Sequence, residues 1–136
     1  MIQANDGVTS IPSHHSVVET MDRLEALAKG NGLIVFARID FAADAARAGL
    51  AMKPMQQLVF GNPKAGTPLL VASPRAGLDL PLRALSWQDD DGAVWLSFND
   101  PSYIGARHEL PEVLTAKIAG ARALIERAAR TDAVNS

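Results

Sequence analysis

The chain has no cysteine among its 136 residues, which excludes disulfides, thiolate-held zinc or iron–sulfur centres and a cysteine nucleophile. It also lacks an excess of either charge. Thirteen basic residues against 15 acidic ones leave a formal net charge of −2, which provides no electrostatic footprint for nucleic acid or an anionic membrane. Long hydrophobic runs are missing too: the apolar stretches are a few residues each, and a bilayer span needs roughly 20. Residues 1–16 carry Asp6, His14 and His15 but no Lys or Arg and no apolar run, so they do not read as a secretory signal. A cytoplasmic protein is expected, with no membrane and no nucleic acid as partner.

What is present is ordinary for a globular domain: 48% hydrophobic and 21% charged residues. A chain of this length buries roughly 68–70% of its unfolded surface without any staple. A single domain over 1–136 is expected, with its core at about 8–130 and a frayed tail at 131–136.

The elements follow from spacing and punctuation. Val8 to Pro12 reads as a first strand. Ser16-Val17-Val18-Glu19 is a capping box, and Val17, Met21, Leu24 and Ala28 recur at helical spacing until Gly30-Asn31-Gly32. Glu19–Arg23 and Glu25–Lys29 are i,i+4 pairs on that helix. Leu33 to Asp40 alternates as a strand, which predicts Leu33, Val35, Ala37 and Ile39 on one face and Ile34, Phe36, Arg38 and Asp40 on the other. An alanine-rich short helix over 41–48 and a strand from Met55 to Phe60 come next. Asn62-Pro63 and Thr67-Pro68 both look like helix starts. A proline deep in a helix costs about 3 kcal/mol, so the helix is expected from Thr67 to about Ser73. Leu82–Gln88 and Val94–Asn99 flank Asp89-Asp90-Asp91-Gly92, a hairpin signal. A turn or short helix over 101–108 precedes a last amphipathic helix from Pro111. The order β-α-β-β-β-β-α predicts a largely antiparallel sheet with both long helices on one face.

Chemistry-bearing patterns are few. His14 and His15 are adjacent and His108 is remote, and no H-E-x-x-H spacing exists, so no metal is expected. Three consecutive aspartates before Gly92 do not have the alternation of a calcium loop, which leaves a solvated hairpin tip. Gly61-Asn62-Pro63-Lys64-Ala65-Gly66-Thr67 is a glycine-bounded loop running into a helix. Such a loop offers amides and a favourable dipole to an anion, with Lys64 as an added charge, although the lysine of a P-loop is missing. Trp95, Ser97 and Asn99 share one strand face. If Arg38 and Asp40 have the same parity, the sheet side away from the helices becomes a mixed polar–aromatic surface suited to a ligand or a second copy. No serine sits on a nucleophile elbow.

The segments Phe60-Gly61-Asn62-Pro63 and Asp79-Leu80-Pro81-Leu82, with Trp87, Asp91-Gly92-Ala93-Val94-Trp95 and Asn99-Asp100-Pro101, occur in that order. Over about Val17 to Leu110 the chain thereby resembles the bacterial and archaeal family catalogued as domain of unknown function 302. Where that family usually has Tyr before Asn-Asp-Pro, this chain has Phe98, one hydroxyl fewer. The resemblance implies an α+β fold, β-α-β4-α, with a curved, largely antiparallel five-stranded sheet and two long helices on one face, of the TATA-binding-protein-like kind. It also implies a domain that pairs into dimers. A fold likeness does not transfer DNA binding. The resemblance marks Asn62, Pro63, Asp79, Pro81, Asn99 and Asp100 as motif positions without assigning them roles.

The reading that results is a small-molecule or anion-binding module acting as a homodimer, with no cofactor. Its expected ligand-binding residues are Asn62, Lys64, Gly66, Thr67, Arg38, Trp95 and Asn99. The alternative is a small hydrolase- or isomerase-like enzyme using Asp79 or Asp100 as general base.

Overall fold

Ser16 and Glu19 start the first helix by capping each other: Glu19 N donates to Ser16 Oγ at 3.1 Å and Ser16 N to Glu19 Oε1 at 3.3 Å. From there the computed structural model, which describes residues 6–131, runs α1 (Val17–Gly30), β2 (Ile34–Asp40), α2 (Phe41–Arg47), β3 (Met55–Gly61) and α3 (Pro63–Ala72). A 3₁₀ turn (Pro74–Leu78) leads to β4 (Leu82–Gln88) and β5 (Val94–Asn99). Three helices close the chain: α4 (Pro101–Arg107), α5 (Glu112–Thr115) and α6 (Ala121–Ala129). The first strand, β1, is Val8–Ser13. The tail expected to fray lies, beyond Thr131, outside the described residues.

All four strand pairs are antiparallel, in the order β1-β5-β4-β3-β2. The first two strands therefore form opposite edges, and α1 crosses the sheet between them. Leu58 and Phe60 of β3, Ala84 of β4, and Leu96 and Phe98 of β5 point to one face, where Met21, Leu24 and Ala28 of α1 meet Leu124, Ile125 and Ala128 of α6. Both long amphipathic helices thus cover the same side. Arg23 ties them together by donating to the carbonyls of Arg127, Ala128 and Arg130 at the end of α6.

A second, smaller core forms beside the first. Leu69 of α3, Ala76, Leu80, Ile104 of α4 and Ile118 are buried together, and Leu82 packs against both clusters.

Three expectations need correction. The helix expected from Thr67 starts at Pro63, with Asn62 as its cap. Pro68 is accommodated near its beginning, where the loss is one backbone bond to Lys64 and not a break. The single last helix is instead two. From Lys117 to Ala123 the amide bonds close on the third residue back, as in Ile118 N to Thr115 O (3.1 Å) and Ala121 N to Ile118 O (3.4 Å), and this tightened stretch around Gly120 separates α5 from α6. The third correction concerns β2. The register shifts between Val35 and Ala37, so Phe36 is an extra residue: a β-bulge. Val35 pairs with Phe60 and Arg38 with Leu58, both on the helix side, whereas Ala37 and Ile39 face away. A one-residue slip exchanges faces, and the alternation assumed from sequence does not survive it.

The hairpin tip is organised by one carboxylate. Asp89 Oδ1 accepts from the amides of Asp91 and Ala93, each at 2.9 Å, and Gly92 takes the positive φ of 85° that the turn requires.

Replacing the fully buried Leu58 by Ala is expected to cost about 2–5 kcal/mol, and replacing the exposed Val71 by Ala less than about 0.5 kcal/mol. Urea unfolding midpoints test this directly; similar losses for both would contradict the placement of the core.

Candidate functional site

The two cores do not close completely against each other. Between them lies a cavity of about 500 Å³, in the size range that takes small ligands. Its walls come from two helical faces with the same spacing. Pro63, Gly66, Thr67 and Leu70 of α3 stand at i, i+3, i+4 and i+7, and Gly120, Ala123, Leu124 and Arg127 repeat that pattern around α6. Leu80, Leu82 and Ile118 complete the inner wall, with Leu33 and the bulged Phe36 at the sheet edge.

Glycine creates part of this space. Gly61, Gly66 and Gly120 all line the cavity, and a Cβ on Gly66 or Gly120 would meet nothing within 4 Å. The lining stays partly open to water: Phe36 is 50% and Leu70 36% exposed. Apolar surface left open inside a concavity is the usual mark of a binding site.

The residues expected to bind are divided by the fold. Asn62, Gly66 and Thr67 line the cavity, whereas Lys64, on the same turn of α3, does not. The amides of this loop are not available to an anion. Lys64 N donates to Asn62 Oδ1 at 3.0 Å, and Ala65 N and Gly66 N donate to Asn62 O at 2.9 and 2.8 Å. The side-chain amide nitrogen of Asn62 and the hydroxyl of Thr67 form no hydrogen bond among the described residues, so these are the polar groups the loop has left.

Arg38 is removed from the sheet face by the bulge. It bonds Asp22 at 2.8 Å and Glu25 at 3.0 Å on α1, and its Nε donates to Gln56 Oε1 at 2.8 Å. Asp40 stays with it, accepting from Gln56 Nε2 at 3.2 Å and capping α2. Trp95 and Asn99 lie on the opposite side, away from the helices. There Trp95 stacks on Trp87 with centroids 6.4 Å apart, and its indole donates to Asp89 Oδ2 at 2.9 Å. That bond, then the two tip amides, holds the Asp89 carboxyl below the usual carboxylate range. Trp87 donates to Ser97 Oγ at 2.8 Å. The mixed surface foreseen with Arg38 and Asp40 is therefore replaced by one built on two tryptophans, and it is separate from the cavity.

The carboxylates considered as bases sit elsewhere. Asp79 accepts from His108 Nε2 at 2.6 Å and from Arg107 Nη1 at 3.1 Å, with the Asp79 and His108 side chains 13% and 4% exposed. Of the three histidines, then, one is interior; its tie to Asp79 crosses 29 residues and leaves no local sequence signal. Asp100 caps α4 through Ser102 N at 3.1 Å and meets Arg122 at 3.3 Å. Neither Asp79 nor Asp100 lines the cavity.

Sequence reasoning missed Lys117 and Arg127. Both line the cavity, from the tightened stretch after α5 and from α6. Read as the polar side of one continuous helix, they carried no signal. With the break near Gly120 between them, both border this cavity.

A five-stranded antiparallel sheet with two helices on one face defines a small α+β domain. The chain belongs to the family described as "Domain of unknown function DUF302", which matches residues 9–130. A crystal structure described as an uncharacterized conserved DUF302 protein from Bacillus stearothermophilus has the same fold, with a TM-score of 0.73 at 19% identity, covering 90% of this chain and 95% of that one. Curated relatives are named fluoride-specific ion channels. "Fluoride-specific ion channel FluC 1" of Brucella suis is 46% identical over 106 residues, which is 78% of this chain and 42% of the relative. FluC 1 of Brucella abortus and FluC 2 of Brucella melitensis match at 46% over 106 residues, covering 39% of each. The chain thus spans about two-fifths of the length of the curated relatives it matches. Among its own described residues no helix is long and apolar enough to cross a membrane.

The α1–β2 ion pairs predict a pH effect. The hydrogen bond from Lys29, and then that from Arg38, hold the Glu25 carboxyl below the ordinary glutamate range. A carboxyl with a lowered folded pKa stabilises the fold above its unfolded value and loses that contribution as pH falls through the folded one. Glu25→Gln is expected to lower stability at neutral pH and to flatten its decline between about pH 5 and pH 3. Urea melts across that range test it, and an unchanged acid limb would count against the pairing.

Proposed function

We propose that this chain is a small-molecule-binding module that works in the cytoplasm as a homodimer, with the cavity between α3 and α6 as its site. The observation that carries the reading is the cavity itself: about 500 Å³, with largely aliphatic walls and a few converging polar groups. Two features of the carboxylates favour binding over catalysis. Asp79 and Asp100 are already engaged by Arg107, His108, Arg122 and a helix cap, and neither faces the space in which a substrate would lie. In the channel-named relatives the region shared with this chain is a fraction of the whole, so what we carry over is the module and not ion conduction.

Pairing of two copies would use the sheet face that carries Trp87 and Trp95. An open sheet with a half-apolar outer face is commonly covered by an isologous partner.

Both parts are testable. A neutral environment-sensitive apolar dye is expected to bind saturably at one site per chain. Gly66→Leu, which fills the cavity from a helical position with room for a side chain, is expected to abolish that binding without lowering the melting temperature. Dye binding that survives Gly66→Leu would move the site elsewhere. Sedimentation equilibrium should give a species of twice the 14.4 kDa chain mass, reduced to one chain by Trp95→Glu. A monomer at all concentrations would remove the dimer.

A further inference from the structure

The cavity's charges are unbalanced. Lys117 and Arg127 line it, and no aspartate or glutamate does. Elsewhere among the described cations Lys29 pairs with Glu25, Arg38 with Asp22 and Glu25, Arg47 with Asp44, Lys53 with Asp90, Arg107 with Asp79, and Arg122 with Asp100 and Glu126, whereas Lys64, Arg75, Arg83 and Arg130 pair with no described carboxylate and line no part of the cavity. Lys117 and Arg127 form no ion pair among the described residues. They stand beside walls of Leu33, Phe36, Leu80, Leu82 and Ile118, surface that cannot itself interact with a charge.

Resting on the reading of this cavity as a binding site, we propose that its ligand is an anionic amphiphile: an apolar chain or ring system ending in one anionic head. The aliphatic walls take the body. Lys117 and Arg127 take the head, Arg127 through the planar fork that suits a carboxylate. The side-chain amide nitrogen of Asn62 and the hydroxyl of Thr67, neither with a partner of its own among the described residues, are neutral donors on the α3 side. The helix amides play no part, because Asn62 already accepts from them. Lys117 and Arg127 are exposed, so they stand at the cavity's open rim. A purely inorganic anion would leave the apolar volume unfilled, and a neutral hydrocarbon would make no use of the two cations at the rim. An amphiphile satisfies both walls at once.

The test compares probes that share a body and differ in the head. Isothermal titration of the full chain with octanoate, decanoate and dodecanoate, below their micelle concentrations, is expected to show affinity rising about fourfold per methylene. Decanol should bind about tenfold more weakly than decanoate, and decyltrimethylammonium more weakly still. Lys117→Gln and Arg127→Gln should each weaken decanoate by about tenfold and leave decanol unchanged. Both variants should keep the wild-type melting temperature, since neither side chain has a partner to lose.

Equal binding of decanol and decanoate, or no effect of either substitution, would overturn the anionic head while leaving the cavity as a site. Failure of all probes, the neutral dye included, would overturn the binding reading itself.

Discussion

Leu82 packs against two hydrophobic clusters, and one C-terminal segment has to cover both. An uninterrupted helix from Pro111 to Ala129 would present one straight stripe and could follow only one of them. The tightened stretch around Gly120 resolves this. It directs Ile118 into the smaller core and turns α6, with Leu124 and Ile125, onto the sheet. The junction is imperfect, because Gly61, Gly66 and Gly120 bring no side chains to it. Interiors are normally packed to crystal density, with few voids larger than a water molecule. The space of about 500 Å³ at the seam of the two cores is open to water, a cleft and not a void in the interior, and the divided last segment forms one side of it.

The bulge at Phe36 has a comparable reach. One inserted residue sends Arg38 across to Asp22 and Glu25 of α1, with Gln56 of β3 beside it, and fastens the edge strand to the helix layer. The same insertion places Phe36 at the cavity, half exposed. Bulges near sheet edges commonly re-aim side chains in this way. The outer face is left to Trp87, Trp95 and Ser97, which are joined by one stacking contact and one hydrogen bond. Cavity and tryptophan face are therefore independent surfaces, and a ligand and a second copy would not compete for the same residues.

Much of this was legible from local chemistry. Ser16 and Glu19 announced α1, Asp89 to Gly92 announced the hairpin, and the alternation of Trp95, Ser97 and Asn99 oriented β5, because each signal depends on neighbours within a few residues. The loop from Gly61 to Thr67 was visible as well, and its glycines border the cavity by leaving space and not by freeing amides. What was hidden depended on distant partners. The bulge exists because β2 must match β3 while Arg38 reaches α1. The break before α6 exists because two cores compete for one segment. Lys117 and Arg127 carry no local signal that they border the cavity, and His108 meets Asp79 only through the fold.

The pair formed by Asp79 and His108 is the arrangement here that most resembles catalytic machinery, and its geometry argues for a structural role. A general base needs a lone pair directed at a substrate proton within hydrogen-bond reach. The Asp79 carboxylate is committed to Arg107 and to His108, both from the end of α4, and so fastens that helix to the Asp79-Leu80-Pro81-Leu82 segment. Leu80 and Leu82 of that segment are walls of the cavity. By holding α4 against it, Asp79 fixes the position of one cavity wall without entering the cavity. A residue marked by the family motif can in this way shape the cavity without lining it.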